Sequence, residues 1–196
     1  MKNFEEICYS VVKQPKFVKN ATIGFILGLI PIINFFAFSY LIKVGKQWTE
    51  NEELTLLDWS CVTGNLREVL MKNFFVGVIA FLGFILIPCL ICFSVFGLAG
   101  LGPFGICIGL FISVPAFAYA AVSETSAVSF TASAILSEFV NAYRWVIINY
   151  KKLIIPSALF LCFQVVVSFV IPYALMGAPM FLGLLFIIAY VKQMNK

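Results

Sequence analysis

Asn73-Phe-Phe-Val-Gly77-Val-Ile-Ala-Phe81-Leu-Gly83-Phe-Ile-Leu-Ile-Pro88-Cys-Leu-Ile-Cys92-Phe-Ser-Val-Phe-Gly97 continues through Leu-Ala-Gly100-Leu-Gly102-Pro-Phe-Gly105 to Val122-Ser123 without one charged side chain. A helix needs roughly 20 residues to cross a hydrocarbon layer about 30 Å thick, so this stretch of 51 residues has room for two crossings. Gly97, Gly100, Gly102 and Pro103 mark the turn between them, and the crossings are expected at about Phe74–Phe96 and Phe104–Val122. Two more charge-free runs flank it, Asn20 to Ile42 (23 residues) and Leu153 to Val191 (39 residues). Of the 196 residues, 62% are hydrophobic and 11% charged, against about half and about a quarter in a soluble domain. That composition excludes a water-soluble globule.

The expected fold class is an all-α integral membrane helical bundle, forming a single membrane domain over residues 1–196. Four transmembrane helices come from two hairpins, 73–123 and 153–192. In the second, Pro172, Gly177 and Pro179 place a turn that leaves about 19 residues before it and about 13 after, so the last helix is short or the pair dips without fully spanning. Between the apolar runs lie segments with helical periodicity and one polar side, expected as cytoplasmic interfacial helices. These are residues 1–19, with Phe4, Ile7, Cys8 and Val11 on one face; 55–72, with Trp59, Val62, Leu66 and Val69; and 131–152, with Ile135, Phe139, Tyr143 and Val146. Each passes through a basic residue into an apolar run, which reads as a weak internal repeat. Arg67, Lys72, Arg144, Lys151 and Lys152 are the candidate membrane-surface basic residues.

The run 20–42 is long enough to span, yet its centre reads Gly24-Phe-Ile-Leu-Gly28-Leu-Ile-Pro31-Ile-Ile-Asn34. Pro31 breaks a helical hydrogen bond, and Asn34 is costly in lipid unless paired. The segment is therefore expected as a broken or re-entrant helix with Pro31 and Asn34 at the hinge or tip. Lys and Arg accumulate on the cytoplasmic side of membrane proteins. A hairpin places all 13 of them on one face with both termini cytoplasmic, whereas a single crossing splits them. This favours the hairpin.

Asn3-Phe-Glu-Glu-Ile-Cys-Tyr-Ser, then Lys16-Phe-Val-Lys19, Gly24, the Leu-Ile-Pro31-Ile-Ile-Asn34 turn, and Tyr40 with Lys43 and Lys46 resemble the start of an uncharacterised prokaryotic family of multi-pass membrane proteins, a domain of unknown function. The likeness covers about residues 3–85. It includes an acidic linker leading into an interfacial helix, here Glu50-Asn-Glu-Glu-Leu-Thr-Leu-Leu-Asp58-Trp59. Ser39-Tyr40 stands for the family's Gly-Tyr pair, and Thr55 for a proline. The resemblance implies topology and a prokaryotic inner (cell) membrane, and no chemistry.

Other motifs resolve to packing. Gly100-Leu-Gly102-Pro-Phe-Gly105 matches the dinucleotide fingerprint by letter but lacks the preceding strand and the downstream acid. Cys89 and Cys92 have metal spacing without a second ligand pair, and all six cysteines read as reduced small residues. Gly24 with Gly28, and Gly105 with Gly109, are small residues four apart that let another helix approach, within the chain or between subunits. Glu124 and Glu138 lie at expected helix ends, where a paired interfacial carboxylate is the plain reading. Having no histidine removes the commonest general base and metal ligand together. The net charge of +4 is too dispersed for nucleic acid. The expectation is thus a non-enzymatic protein with no catalytic, metal or cofactor site: structural, bilayer-shaping or partner-binding. Its partner is the lipid bilayer, with a homo-oligomer or a membrane-protein partner left open. The alternative is a small oligomeric transporter or channel subunit for a neutral or weakly selected solute.

Overall fold

The computed structural model describes residues 3–28, 30, 32–51, 54–63, 67–123, 132–170 and 178–195. Among these there is no strand, and the helices in chain order are α1 (Phe4–Val12), α2 (Phe17–Gly28), α3 (Asn34–Glu50), the single turn α4 (Ser60–Thr63), α5 (Arg67–Phe81), α6 (Ile87–Gly97), α7 (Gly102–Val122), α8 (Ala132–Val170) and α9 (Ala178–Met194). Three stretches are long and apolar enough to cross a membrane: Asn73–Gly97, Gly102–Val122 and Ser137–Val167. A fourth crossing is not among them. The 17 residues of α9 rise about 26 Å, short of the roughly 30 Å hydrocarbon layer.

α1 begins with Asn3, whose backbone N–H donates to Glu6 Oε2 at 3.3 Å, and stops before Pro15. It buries Ile7 and Val11 and packs on α9, with Phe4 edge-on to Tyr190 at 5.4 Å. α7 lies at the centre, packed by α6, α8, α9 and α3. Its buried Ala116, Ala118, Ala120 and Ala121 let neighbouring backbones approach closely. A Cβ on Gly45 of α3 would meet the Ala121 carbonyl carbon at 2.9 Å. Thr49 Oγ1 donates to Val122 O at 2.9 Å, taking up one of the carbonyls that the end of α7 leaves without a helical partner.

Two expected boundaries differ. Residues 131–152 do not form a separate interfacial helix joined by a Lys151-Lys152 hinge to a crossing; α8 runs unbroken for 39 residues, about 58 Å. No Gly or Pro lies between Ala132 and Ile155, and lysine is a good helix former, so nothing ends the helix there. Nor does 55–72 form one interfacial helix. Residues 54–58 are not helical, and α5, described from Arg67 on, carries straight on into the first apolar span. The segment 20–42 is broken between Gly28 and Asn34. Pro31 itself lies outside the described residues, as do Glu124 and the turn positions Pro172 and Gly177.

Pro88, Pro115 and Pro156 lie inside the long helices, and the carbonyls that Pro88 and Pro156 leave without a helical donor each meet a tyrosine from a neighbour. Pro88 has no N–H to give to the carbonyl of Phe84, four residues back, and the chain passes through a π-helical turn at Leu82–Leu86 just before it. Tyr143 of α8 donates its hydroxyl to Phe84 O at 3.3 Å and also lies 3.1 Å from Ser113 Oγ of α7. Pro156 likewise gives nothing to Lys152 O, and Tyr190 of α9 donates to that carbonyl at 3.3 Å. Both bonds are long for a hydroxyl donor, so each is weak taken singly.

Replacing Tyr143 with Phe should therefore lower stability in detergent by about 1 kcal/mol. In a Pro88→Ala background, where residue 88 regains its N–H, the same change should cost clearly less. A double-mutant cycle on the unfolding free energy checks this, and equal costs in both backgrounds refute it.

Candidate functional site

A segment outside any helix has no regular hydrogen-bond partners of its own, and residues 54–58 are held against the bundle by side chains from two helices. Along one face of α3, Trp48 Nε1 donates to Thr55 O at 2.6 Å, Gln47 Nε2 to Thr55 Oγ1 at 2.8 Å, and Lys43 Nζ to Cys61 O at 2.5 Å. Residues 40, 43/44 and 47/48 fall at spacings of three and four, so they share this face. The carbonyl of Leu57 accepts two bonds at once, from Asn20 Nδ2 of α2 and from Tyr40 OH of α3, each 2.8 Å. Trp59 stacks on Tyr40 with ring centroids 4.1 Å apart and planes 11° from parallel, and its indole N–H reaches Asn20 O at 3.2 Å. Phe181 of α9 closes the cluster, tilted against both rings at 6.0 and 5.8 Å.

At the outer edge Lys16 Nζ lies 2.6 Å from Asp58 Oδ2, with Lys19 Nζ 3.9 Å from Oδ1. The hydrogen bond from Lys16 holds the Asp58 carboxyl below its usual range, so it stays ionised and engaged. Burial raises the Tyr40 hydroxyl, with Cys61 and Asp58 adding to it. Burial also pushes the Cys8 thiol up to about 11 and raises Cys61, the latter against the opposing charge of Lys43. Neither thiol is disposed to act as a thiolate near neutral pH. Among the described residues no group of His, Cys, Asp and Glu could hold a metal ion. The arrangement is a clasp: it ties the linker to α2, α3 and α9.

The other sequence-selected residues are dispersed. Gly24 faces the Phe181 ring, where a Cβ would overlap it, and Gly28 is buried farther along α2. Gly105 and Gly109 pack α7 on α6; a Cβ on Gly109 would meet Cys89 Cα at 2.7 Å. Asn34 is buried at the start of α3. Arg67 and Lys72 lie on α5 with their side chains outside those described, while Arg144, Lys151 and Lys152 are exposed along α8. Sequence reasoning did not single out Asn20, Trp48 or Lys43 for the clasp. Asn20 stood as the boundary of an apolar run, and its reach to residue 57 has no local signal. No family model, curated protein or solved structure matches the chain.

Two outcomes follow for the clasp. Tyr40→Phe should cost about 1 kcal/mol from the hydroxyl, with the stacked ring kept, whereas Tyr40→Ala should cost several times more; comparable losses for the two contradict the geometry. Asp58 has a folded-state pKa below its unfolded value, so its contribution is present above the unfolded pKa and is lost as pH falls through the lowered one. Thermal unfolding of wild type and Asp58→Asn should differ near neutral pH and converge in acid.

Proposed function

We propose that the chain is a non-enzymatic integral protein of a prokaryotic cell membrane that works on the bilayer from one side, as a wedge that shapes the leaflet. The observation that carries this reading is the Leu57 carbonyl. Asn20 and Tyr40 both bond to it, although a continuous helix from 20 to 40 would hold them about 30 Å apart. That shared acceptor supports a chain that doubles back between them. From Asn20 to Gly28 the outward arm is about 12 Å long, and from Asn34 to Tyr40 the return is about 9 Å, by the 1.5 Å rise per residue. Arms of that length reach less than halfway through a layer about 30 Å thick.

Near the tip, Ile26, Ile30 and Ile32 are exposed, Ile32 by 69%. Apolar side chains displayed there favour insertion among acyl chains of the near leaflet. At the base, Lys16, Lys19 and Lys43 gather around residues 57–61, which suits the headgroup level on the cytoplasmic side. A hairpin that occupies one leaflet and stops short of the other spreads the first. The resemblance over residues 3–85 supports the prokaryotic membrane, and the low readiness of Asp58 and of the Cys8 and Cys61 thiols for proton transfer or attack favours a non-enzymatic role.

Reconstitution of the purified protein into liposomes tests the reading. Vesicles should narrow or tubulate, and Ile26→Ser with Ile30→Ser and Ile32→Ser should abolish that effect in a protein that still folds. Solute flux through vesicles of unchanged shape would instead select the small transporter or channel. In cells, Pro31→Leu with Asn34→Leu should favour one continuous helix, pull Asn20 and Tyr40 off their shared carbonyl and give mixed orientation or low abundance. A terminal reporter showing uniform orientation at wild-type abundance would remove the hairpin.

A further inference from the structure

Between α1, α8 and α9 lies an apolar groove of about 350 Å³. Phe4 and Cys8 form its α1 wall, Pro156 and Phe163 its α8 wall, and Phe186 and Ile187 its α9 wall. Gly183 and Phe160 set the depth, because a Cβ on Gly183 would meet Phe160 Cε2 at 2.5 Å. Ile155, Leu159 and Phe163 are exposed beside the groove on the face of α8 within the charge-free run that begins at Leu153. In a bilayer this face meets acyl chains, not water.

The groove has a charged end. Lys152, Pro156, Leu159 and Phe163 follow one another at helical spacing, so Lys152 continues the stripe that lines the groove. Tyr190, which donates to the Lys152 carbonyl, stands one turn beyond Phe186 and Ile187 and carries Phe4 against its ring. Lys152 and Lys151 are exposed, and among the described residues no carboxylate lies within ion-pair distance of either. Together they mark the step from charged chain to the charge-free run beginning at Leu153. A hydrocarbon slot ending at two cations without carboxylate partners is complementary to an amphiphile with an anionic head.

We infer that this groove holds one acyl chain of an anionic phospholipid whose headgroup lies against Lys151 and Lys152. The site is separate from the hairpin of residues 20–42 and holds whether or not that hairpin shapes membranes. It places a bound lipid where α1 is clamped to the membrane helices, as a filler between elements joined on this side by the contact of Phe4 with Tyr190.

Phe163→Trp supplies a reporter inside the groove, read as the difference from wild type in nanodiscs. Brominated phosphatidylglycerol at a minor mole fraction should quench it more than brominated phosphatidylcholine at the same fraction. Lys151→Gln and Lys152→Gln should each reduce that preference about fivefold, the ratio expected for a charge near an anionic lipid surface. Leu159→Phe, which keeps both lysines and narrows the slot, should also remove the preference. Equal quenching by the two lipids means bulk lipid alone reaches the groove and overturns the site. A preference that survives Leu159→Phe means the lysines only enrich surrounding anionic lipid, and overturns it as well. Displacement of both lipids by a second copy of the chain, seen as dimer formation with the reporter left unquenched, would assign the groove to an interface and overturn it too.

Discussion

A backbone carbonyl removed from water must find a donor, and a non-helical segment such as residues 54–58 has no regular ladder of its own to supply one. Side chains meet that demand: Trp48 gives a hydrogen to Thr55 O, Asn20 and Tyr40 to Leu57 O, and Lys43 to Cys61 O in the adjoining α4. The arrangement of the N-terminal half depends on this. Because two of those donors lie on different helices and share Leu57 O, satisfying the linker also fixes the angle between α2 and α3. The stacked Tyr40 and Trp59 rings, backed by Phe181, then shield the bonds from competition by water, which strengthens them. Polar satisfaction and aromatic packing act on the same few residues.

The same constraint governs the long helices. Pro88 and Pro156 each remove a donor from a helix in a region with few alternatives, and a tyrosine hydroxyl from another helix takes up the carbonyl concerned. Each proline thereby becomes a point of attachment, α6 to α8 and α8 to α9. The central position of α7 has a different origin. Its last two turns are rich in alanine, so neighbours pack against backbone, and Ser113 joins the Tyr143 bond from within. On α6 and α8, Leu90, Ile91, Ile155 and Leu159 face outward from the bundle.

Legibility in the sequence followed the range of the interaction. The turn after Gly97 was readable because glycine and proline interrupt a charge-free run within a few residues, and α6 ends at Gly97 with α7 beginning at Gly102. The break near Pro31 was readable for the same reason, with helices ending at Gly28 and resuming at Asn34. Lys151-Lys152 reads as a hinge by charge, yet α8 runs through it, because lysine is a good helix former and its charge does not interrupt the backbone ladder. The clasp left little trace, since Asn20 meets Leu57 across 37 positions. The apolar groove left none, as it draws one wall from each of three helices.

The sequence by itself determined that this chain is helical, that it carries stretches long and apolar enough to cross a membrane, and that its helices are interrupted after Gly28 and Gly97, because those properties depend on hydropathy, on length against bilayer thickness and on the local chemistry of glycine and proline. Tertiary structure alone decided which carbonyls found tyrosines, and that residues 54–58 would be bound along α3. Those outcomes depend on donors and acceptors brought within about 3 Å from distant parts of the chain, and composition carries no record of such pairings.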